Sequence, residues 1–219
     1  MIIEMFLSGF LFLFILVLNI VMASFGYKME KADYNPEADL KKININPKKF
    51  KTGITLALIE HGSVIALTIL LFIAFSSYNL ILGIVWLLFR TVEGLIQFIN
   101  EPNYYRLLNI AKQYSSSSSE KKSLINSAKN IFKTKDTRFK VAMVCWSFGT
   151  LAFSIVLVTS EVVPTIIGYL GIIASILVGL TTVIKLAKPK SKDLTAIGGL
   201  TAILFEIIIG VALLYYSII

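Results

Sequence analysis

The sequence predicts an all-α polytopic membrane protein, a transmembrane bundle of six helices forming one integral membrane domain over residues 1–219. Three observations carry that reading. Of 219 residues, 56% are hydrophobic and 16% charged, with a mean hydropathy of +0.79, more apolar surface than a soluble core requires. Six apolar stretches of roughly 20 residues each match a hydrocarbon layer about 30 Å thick. Positive charge is segregated: of the 21 Lys and Arg, all but Arg90 fall at or between the ends of spans, in three loops.

Span 1 covers about residues 5–26. Val21 and Ala23 imitate a signal-peptide cleavage site, but Glu4, the lack of Lys or Arg ahead of it and the length of the apolar run read as a transmembrane helix. Loop 27–52 mixes lysines with Glu30, Asp33, Glu37 and Asp39, and Pro36 and Pro47 break any long helix, so a solvated connector is expected. Spans 2 and 3, about 53–76 and 79–100, are joined by a few residues around Ser77. The loop after span 3 opens at Pro102, passes the serine run Ser115 to Ser119 and reaches residues 120–135. There Leu124, Ile125, Ala128, Ile131 and Phe132 share a face, with Lys121, Lys122, Lys129 and Lys133 opposite or at its flanks. That pattern predicts an amphipathic interfacial helix lying among anionic lipid headgroups. Spans 4, 5 and 6, about 139–158, 163–187 and 194–217, carry stripes of small residues that let helices approach closely in lipid. The stripes are Ala142, Cys145, Gly149 and Ala152; Gly171, Ser175 and Gly179; and Gly199, Ala202, Glu206 and Gly210.

Charge placement sets the expected topology. The lysine-rich connections follow spans 1, 3 and 5, so loops 27–52, 101–138 and 188–193 are cytoplasmic and both termini extracytoplasmic, in a multi-pass protein of the cell membrane. The net charge of +8 then reports orientation toward the bilayer, with no nucleic-acid partner implied. A protein partner or a second copy of the chain stays open. Cys145 is the single cysteine, which excludes an intrachain disulfide and a Cys-based metal site, and the single histidine excludes bis-histidine haem ligation. No phosphate-cradling loop, metalloprotease helix or Asn-x-Ser/Thr acceptor is present, and no cofactor is expected.

The candidate site starts in span 3. Trp86, Arg90, Glu93, Gln97 and Asn100 recur at steps of four, three, four and three, one face of a helix. A charged side chain deep in lipid costs roughly 2.5 to 3.5 kcal/mol on insertion scales, so Arg90 and Glu93 must turn inward to partners. At about 1.5 Å per residue, Glu60 and Glu93 lie in the inner half and Arg90 and Glu206 near the midplane, with Asn19 also in the inner half. His61 follows Glu60. Asn19, Glu60, His61, Arg90, Glu93, Gln97 and Glu206 are therefore expected to converge on one polar site opening toward the cytoplasm past Gln97 and Asn100. Arg90 can pair with Glu93 or fork across to Glu60 or Glu206. Three carboxylates around one arginine call for a proton or a bound cation.

The run Pro47 to Ile73, PKKFKTGITLALIEHGSVIALTILLFI, with LLFRTVEGLI at Leu87 to Ile96, resembles the bacterial and archaeal multi-pass family called domain of unknown function 4386. Phe89, Arg90 and Glu93 match that family's Phe-Arg-x-x-Glu element in the third helix. VPTIIGYLGIIASIL at Val163 to Leu177 is similar to its Pro-x-x-x-Gly-x-x-Gly helix start, and AILFEIIIGVALL at Ala202 to Leu214 to its closing Phe-Glu helix, which places Glu206. The basic N-terminal start common in the family is absent, and the connection around Ser77 is short. The resemblance implies a fold and candidate positions without an activity. Three function classes follow: binding or transport of a small solute or ion at the polar cluster; an accessory or structural subunit of a membrane complex; and an intramembrane enzyme with Glu60, Glu93 or Glu206 as acid or base. No nucleophile, ligand triad or cofactor motif accompanies the carboxylates, so the enzyme reading ranks last and binding or transport first.

Overall fold

The computed structural model describes residues 1–27, 35–116, 120–188 and 195–219, and among them the secondary structure is seven α-helices with no strand. Lys28, Glu30, Lys31 and Asp33 of the first loop, Ser117 to Ser119 of the serine run, and Lys190 and Lys192 lie outside the described residues. The helices are α1 (Ile2–Ser24), α2 (Pro36–Ile45), α3 (Pro47–Phe75), α4 (Leu80–Ser116), α5 (Lys121–Ser160), α6 (Thr165–Ala187) and α7 (Thr195–Tyr216). All but α2 are long and apolar enough to cross a bilayer, and the chain is a multi-pass membrane protein.

The helix boundaries follow local chemistry. Asn35 Oδ1 accepts the Ala38 N–H at 3.1 Å and Asn46 Oδ1 accepts the Lys49 N–H at 3.0 Å, capping α2 and α3. Pro36 and Pro47 occupy the first positions of those helices, where a missing N–H costs nothing. The two prolines thus start helices inside what reads as a solvated connector. Asn79 Oδ1 caps α4 through the Leu82 N–H at 3.1 Å, and α5 ends at Glu161 in the left-handed conformation (φ 56°).

Two expectations after span 3 need correction. Pro102 does not open a loop, because α4 runs through it to Ser116. Of residues 120–135, Glu120 is the N-cap and the rest are helical, but they form the first part of α5, continuous with span 4, rather than a separate helix on the membrane surface. Their apolar face is already covered by protein. Leu124, Ala128 and Phe132 are buried in one cluster with Leu40 and Ile43 of α2, Phe50 and Ile54 of α3, and Tyr104, Leu107, Ala111 and Tyr114 of α4. Ile125 and Ile131 pack at its edge, and Lys121, Lys122, Lys129 and Lys133 are exposed. An interior proline costs about 3 kcal/mol, whereas each large side chain buried just beyond it contributes roughly 1.5–3 kcal/mol. Burial of Tyr104, Leu107 and Tyr114 therefore outweighs the proline, and the helix continues.

The six spanning helices form a closed ring. Each packs on its neighbours in the order α1, α3, α4, α5, α6, α7, and α7 returns to α1. The end carrying α2 and the extensions of α4 and α5 is also the lysine-rich end, here the basic end. In the half away from it, a core including Phe12, Leu67, Leu71, Phe75, Trp86, Phe153, Leu157, Ile209 and Leu213 fills the ring. Closure depends on glycine at the α1/α7 seam. A Cβ on Gly9 would come within 2.6 Å of the Gly210 carbonyl oxygen, and one on Gly210 within 3.1 Å of Phe12. Gly9→Val is accordingly expected to lower the denaturation midpoint of the purified protein, with a loss of about 1–3 kcal/mol from overpacking. Gly62→Ala, at a position with open space around the added Cβ, is the control expected to stay near wild type.

Candidate functional site

The ring is hollow in its basic half. A cavity of about 550 Å³ is bounded there by side chains from all six spanning helices. Asn19, Glu60, His61, Arg90, Glu93, Gln97 and Glu206 all line it, so the structure brings together the whole set nominated from the sequence. Asn100 does not join them. It is fully buried, and its Oδ1 accepts a hydrogen bond from Arg138 at 3.4 Å, so the Asn100 face of α4 is sealed. On the α1, α6 and α7 side the cavity is bordered by Asn19, Ile20, Lys185 and Gly199, of which Ile20 and Gly199 are exposed.

Within the cavity wall the charges sort into distinct pairings. Arg90 Nη1 donates to Glu93 Oε2 at 2.5 Å, one turn along the same helix, rather than forking across to Glu60 or Glu206. Its guanidinium carbon lies 5.3 Å from the Trp86 ring centroid and 6.0 Å from that of Trp146, within cation–π range. The aliphatic stem packs on Gly149 of α5, where an added Cβ would come 2.8 Å from Arg90 Cγ. Gly149 in the small-residue stripe of span 4 thus makes room for the arginine. Arg90 Nε is buried with no hydrogen-bond partner among the described residues, a residual cost borne by the rest of this packing. Glu206 is held differently. Trp146 Nε1 donates to its Oε1 at 3.2 Å, no ion pair reaches it among the described residues, and the partly exposed side chain borders the cavity.

A second set of groups runs from the cavity toward the basic end. His61 Nδ1 lies 2.5 Å from Glu60 Oε2 and His61 Nε2 lies 3.3 Å from Glu101 Oε1, so one imidazole bridges two carboxyl groups. Tyr27 donates its hydroxyl to the same Glu101 oxygen. The ammonium of Lys135, only 2% exposed, sits 3.8 Å from the Tyr27 ring centroid and 3.7 Å from that of Tyr104. Burial, and next the Glu101 charge, push the Tyr27 phenol well above its usual range, so it keeps its proton and remains a donor. Among the described residues, no group of three His, Cys, Asp or Glu side chains is arranged to hold a metal ion.

Glu101, Tyr27, Tyr104, Lys135 and Trp146 are the polar and aromatic groups that sequence reasoning missed. The signal for two of them was present. Glu93, Gln97 and Glu101 continue one helical face at steps of four, and Lys135 follows Leu124, Ala128 and Phe132 on the buried face of α5. Taking Pro102 as the start of a loop left Glu101 off the first face, and taking 120–135 as a helix on the membrane surface left Lys135 off the buried face.

A family model described as a domain of unknown function (DUF4386) matches residues 7–216, nearly the whole chain. No curated protein and no solved structure matches it.

The geometry makes Arg90 and Glu93 a mutually dependent pair. Arg90→Met, which leaves the Glu93 carboxylate buried without its partner, is expected to cost about 3–5 kcal/mol. The double replacement Arg90→Met with Glu93→Met is expected to recover a large part of that loss, as read from denaturation midpoints of the two variants side by side.

Proposed function

Because the chain belongs to the family described as domain of unknown function 4386, a description that names no activity, we propose its function from the cavity. It is an integral membrane protein that binds a small solute carrying a cationic, hydrogen-bond-donating head. The observation that carries this is Glu206, a carboxylate bordering a cavity of about 550 Å³, held by one indole N–H and within salt-bridge distance of no cation among the described residues. A carboxylate with that surrounding stabilises a cation that reaches it, since the attraction acts in a low-dielectric site. A purely structural clamp accounts for the pairing of Arg90 with Glu93, but not for Glu206 facing an open cavity with an indole N–H as its one hydrogen-bond donor among the described residues. Binding is favoured over passage straight through the ring because apolar side chains fill the half beyond the cavity. The lysine-rich connections support a cytoplasmic basic end and extracytoplasmic termini in the cell membrane.

Two measurements address the reading. In detergent, a series of alkylammonium ions is expected to raise the melting temperature of the wild type, about 2.7 kcal/mol of stabilisation at a hundredfold excess over the dissociation constant. Glu206→Gln should fold and lose that response. Equal responses in both proteins, or none in the wild type, would remove Glu206 from the function. For the orientation, Ile219→Cys in a Cys145→Ala background is expected to react with an impermeant thiol reagent in intact cells, whereas labelling only after permeabilisation would reverse the topology.

A further inference from the structure

The cavity is not enclosed by the ring alone. At the seam between the first and last helices, α1 and α7 touch through Gly9 and Gly210, in the half away from the basic end. Toward the basic end they part. A Cβ built on Gly199 of α7 meets nothing within 4 Å. Val17 and Ile20 of α1, exposed at 55% and 73%, and Ile203 and Ile207 of α7, exposed at 48% and 43%, border the cavity while also facing outward. A side chain that belongs both to a cavity wall and to the outer face of a spanning helix marks an opening. All four are aliphatic, in stretches apolar enough for lipid, so that opening meets hydrocarbon rather than water.

We infer that the gap between α1 and α7 is a lateral portal through which an aliphatic amine dissolved in the adjoining membrane leaflet enters the cavity, its head reaching Glu206. This rests on the amine-binding reading above and adds the ligand's source and its tail. The two walls divide the work. The α3/α4 side presents Glu60, His61, Arg90, Glu93 and Gln97, and the α1/α7 side presents Asn19 and Glu206 with aliphatic Val17, Ile20, Ile203 and Ile207 around the opening. An amphiphile matches that division: an ammonium group at Glu206 beside the Trp146 ring and an alkyl chain along Val17, Ile20 and Ile203. A fully water-soluble ion would leave the aliphatic wall without a counterpart. Burying the chain contributes about 0.8 kcal/mol per methylene, a gain offset in part because the chain leaves lipid rather than water.

The test uses the chain's own tryptophans, of which there are 2. With Trp86→Phe, Trp146 is the sole reporter, at the cavity wall beside Glu206. The full chain is reconstituted in phosphatidylcholine brominated on its acyl chains, since bromine quenches indole emission only at close range. The expected result is loss of Trp146 emission relative to unbrominated lipid, relief of that loss by Gly199→Phe, which fills the gap, and relief by decylammonium. In the Glu206→Gln background decylammonium should give no relief. Equal emission in the two lipids, or quenching unaffected by Gly199→Phe, would overturn the portal, even where alkylammonium ions still stabilise the protein in detergent. Quenching relieved by Gly199→Phe but untouched by decylammonium would overturn the amine as occupant and leave the opening standing.

Discussion

A guanidinium held inside a ring of apolar helices is the constraint on which the rest of this structure depends. Arg90 stays charged in any surroundings, so the fold must neutralise it, cover its faces and make room for its length. Glu93 supplies the countercharge from the next turn, Trp86 and Trp146 supply aromatic faces, and Gly149 supplies space. These demands fix the rotation of α4 and bring α5 close against it. They also pass the constraint to α7, because the indole that covers Arg90 donates its N–H to Glu206. One charge in the third spanning helix thereby bears on the facing of the last helix of the ring.

The ring divides along the membrane normal according to what its side chains can fill. Away from the basic end, Phe12, Phe75, Trp86 and Phe153 are bulky enough to close the centre, and the glycines of α1 and α7 let the first helix meet the last. Nearer the basic end, charged and amide side chains replace the aromatics and the centre stays open. Beyond it, the extended α4 and α5 join α2 in a second apolar cluster that surrounds Lys135 and Glu101. His61 connects the two regions through hydrogen-bonding contacts to Glu60 and Glu101, so the cavity wall and the basic end share one buried polar network. Such a network rigidifies when satisfied, and it ties the orientation of α3 to that of α4.

Much of this was legible in the residues. Apolar run length gave the six spanning helices, and the four-three spacing in span 3, with Asn19 of span 1, Glu60 and His61 of span 2 and Glu206 of span 6, gave seven of the side chains that line the cavity. What escaped lay where a local rule was overruled by packing. Pro102 marks a helix end by propensity, yet Tyr104 and Leu107 bury enough surface to carry α4 past it. The amphipathic face at Leu124, Ala128 and Phe132 was real, but its complement came from α2 and α4, which the sequence disguised as loop. Glu101 and Lys135 were hidden by the same two misreadings. The pairing choice of Arg90 depends on rotamers and on the width of the ring, neither of which a spacing pattern encodes.

Closure of the ring, first helix against last, is the claim on which the cavity stands, and a cross-link tests it most directly. A Cβ at Gly210 would lie 3.1 Å from that of Phe12, so the two backbones need part by only about 0.4–0.7 Å to reach the separation of a disulfide, whose Cβ atoms average about 3.8 Å apart, and removing the Phe12 ring leaves room for that adjustment. In a Cys145→Ala background, Phe12→Cys with Gly210→Cys should form that bond under mild oxidation in membranes. With a protease site inserted in the Ser115 to Ser119 run, the two halves of the cleaved chain should migrate together until reductant is added. Halves that separate without reductant, under conditions where both thiols are shown to react with a small reagent, would contradict the closed ring and with it the cavity.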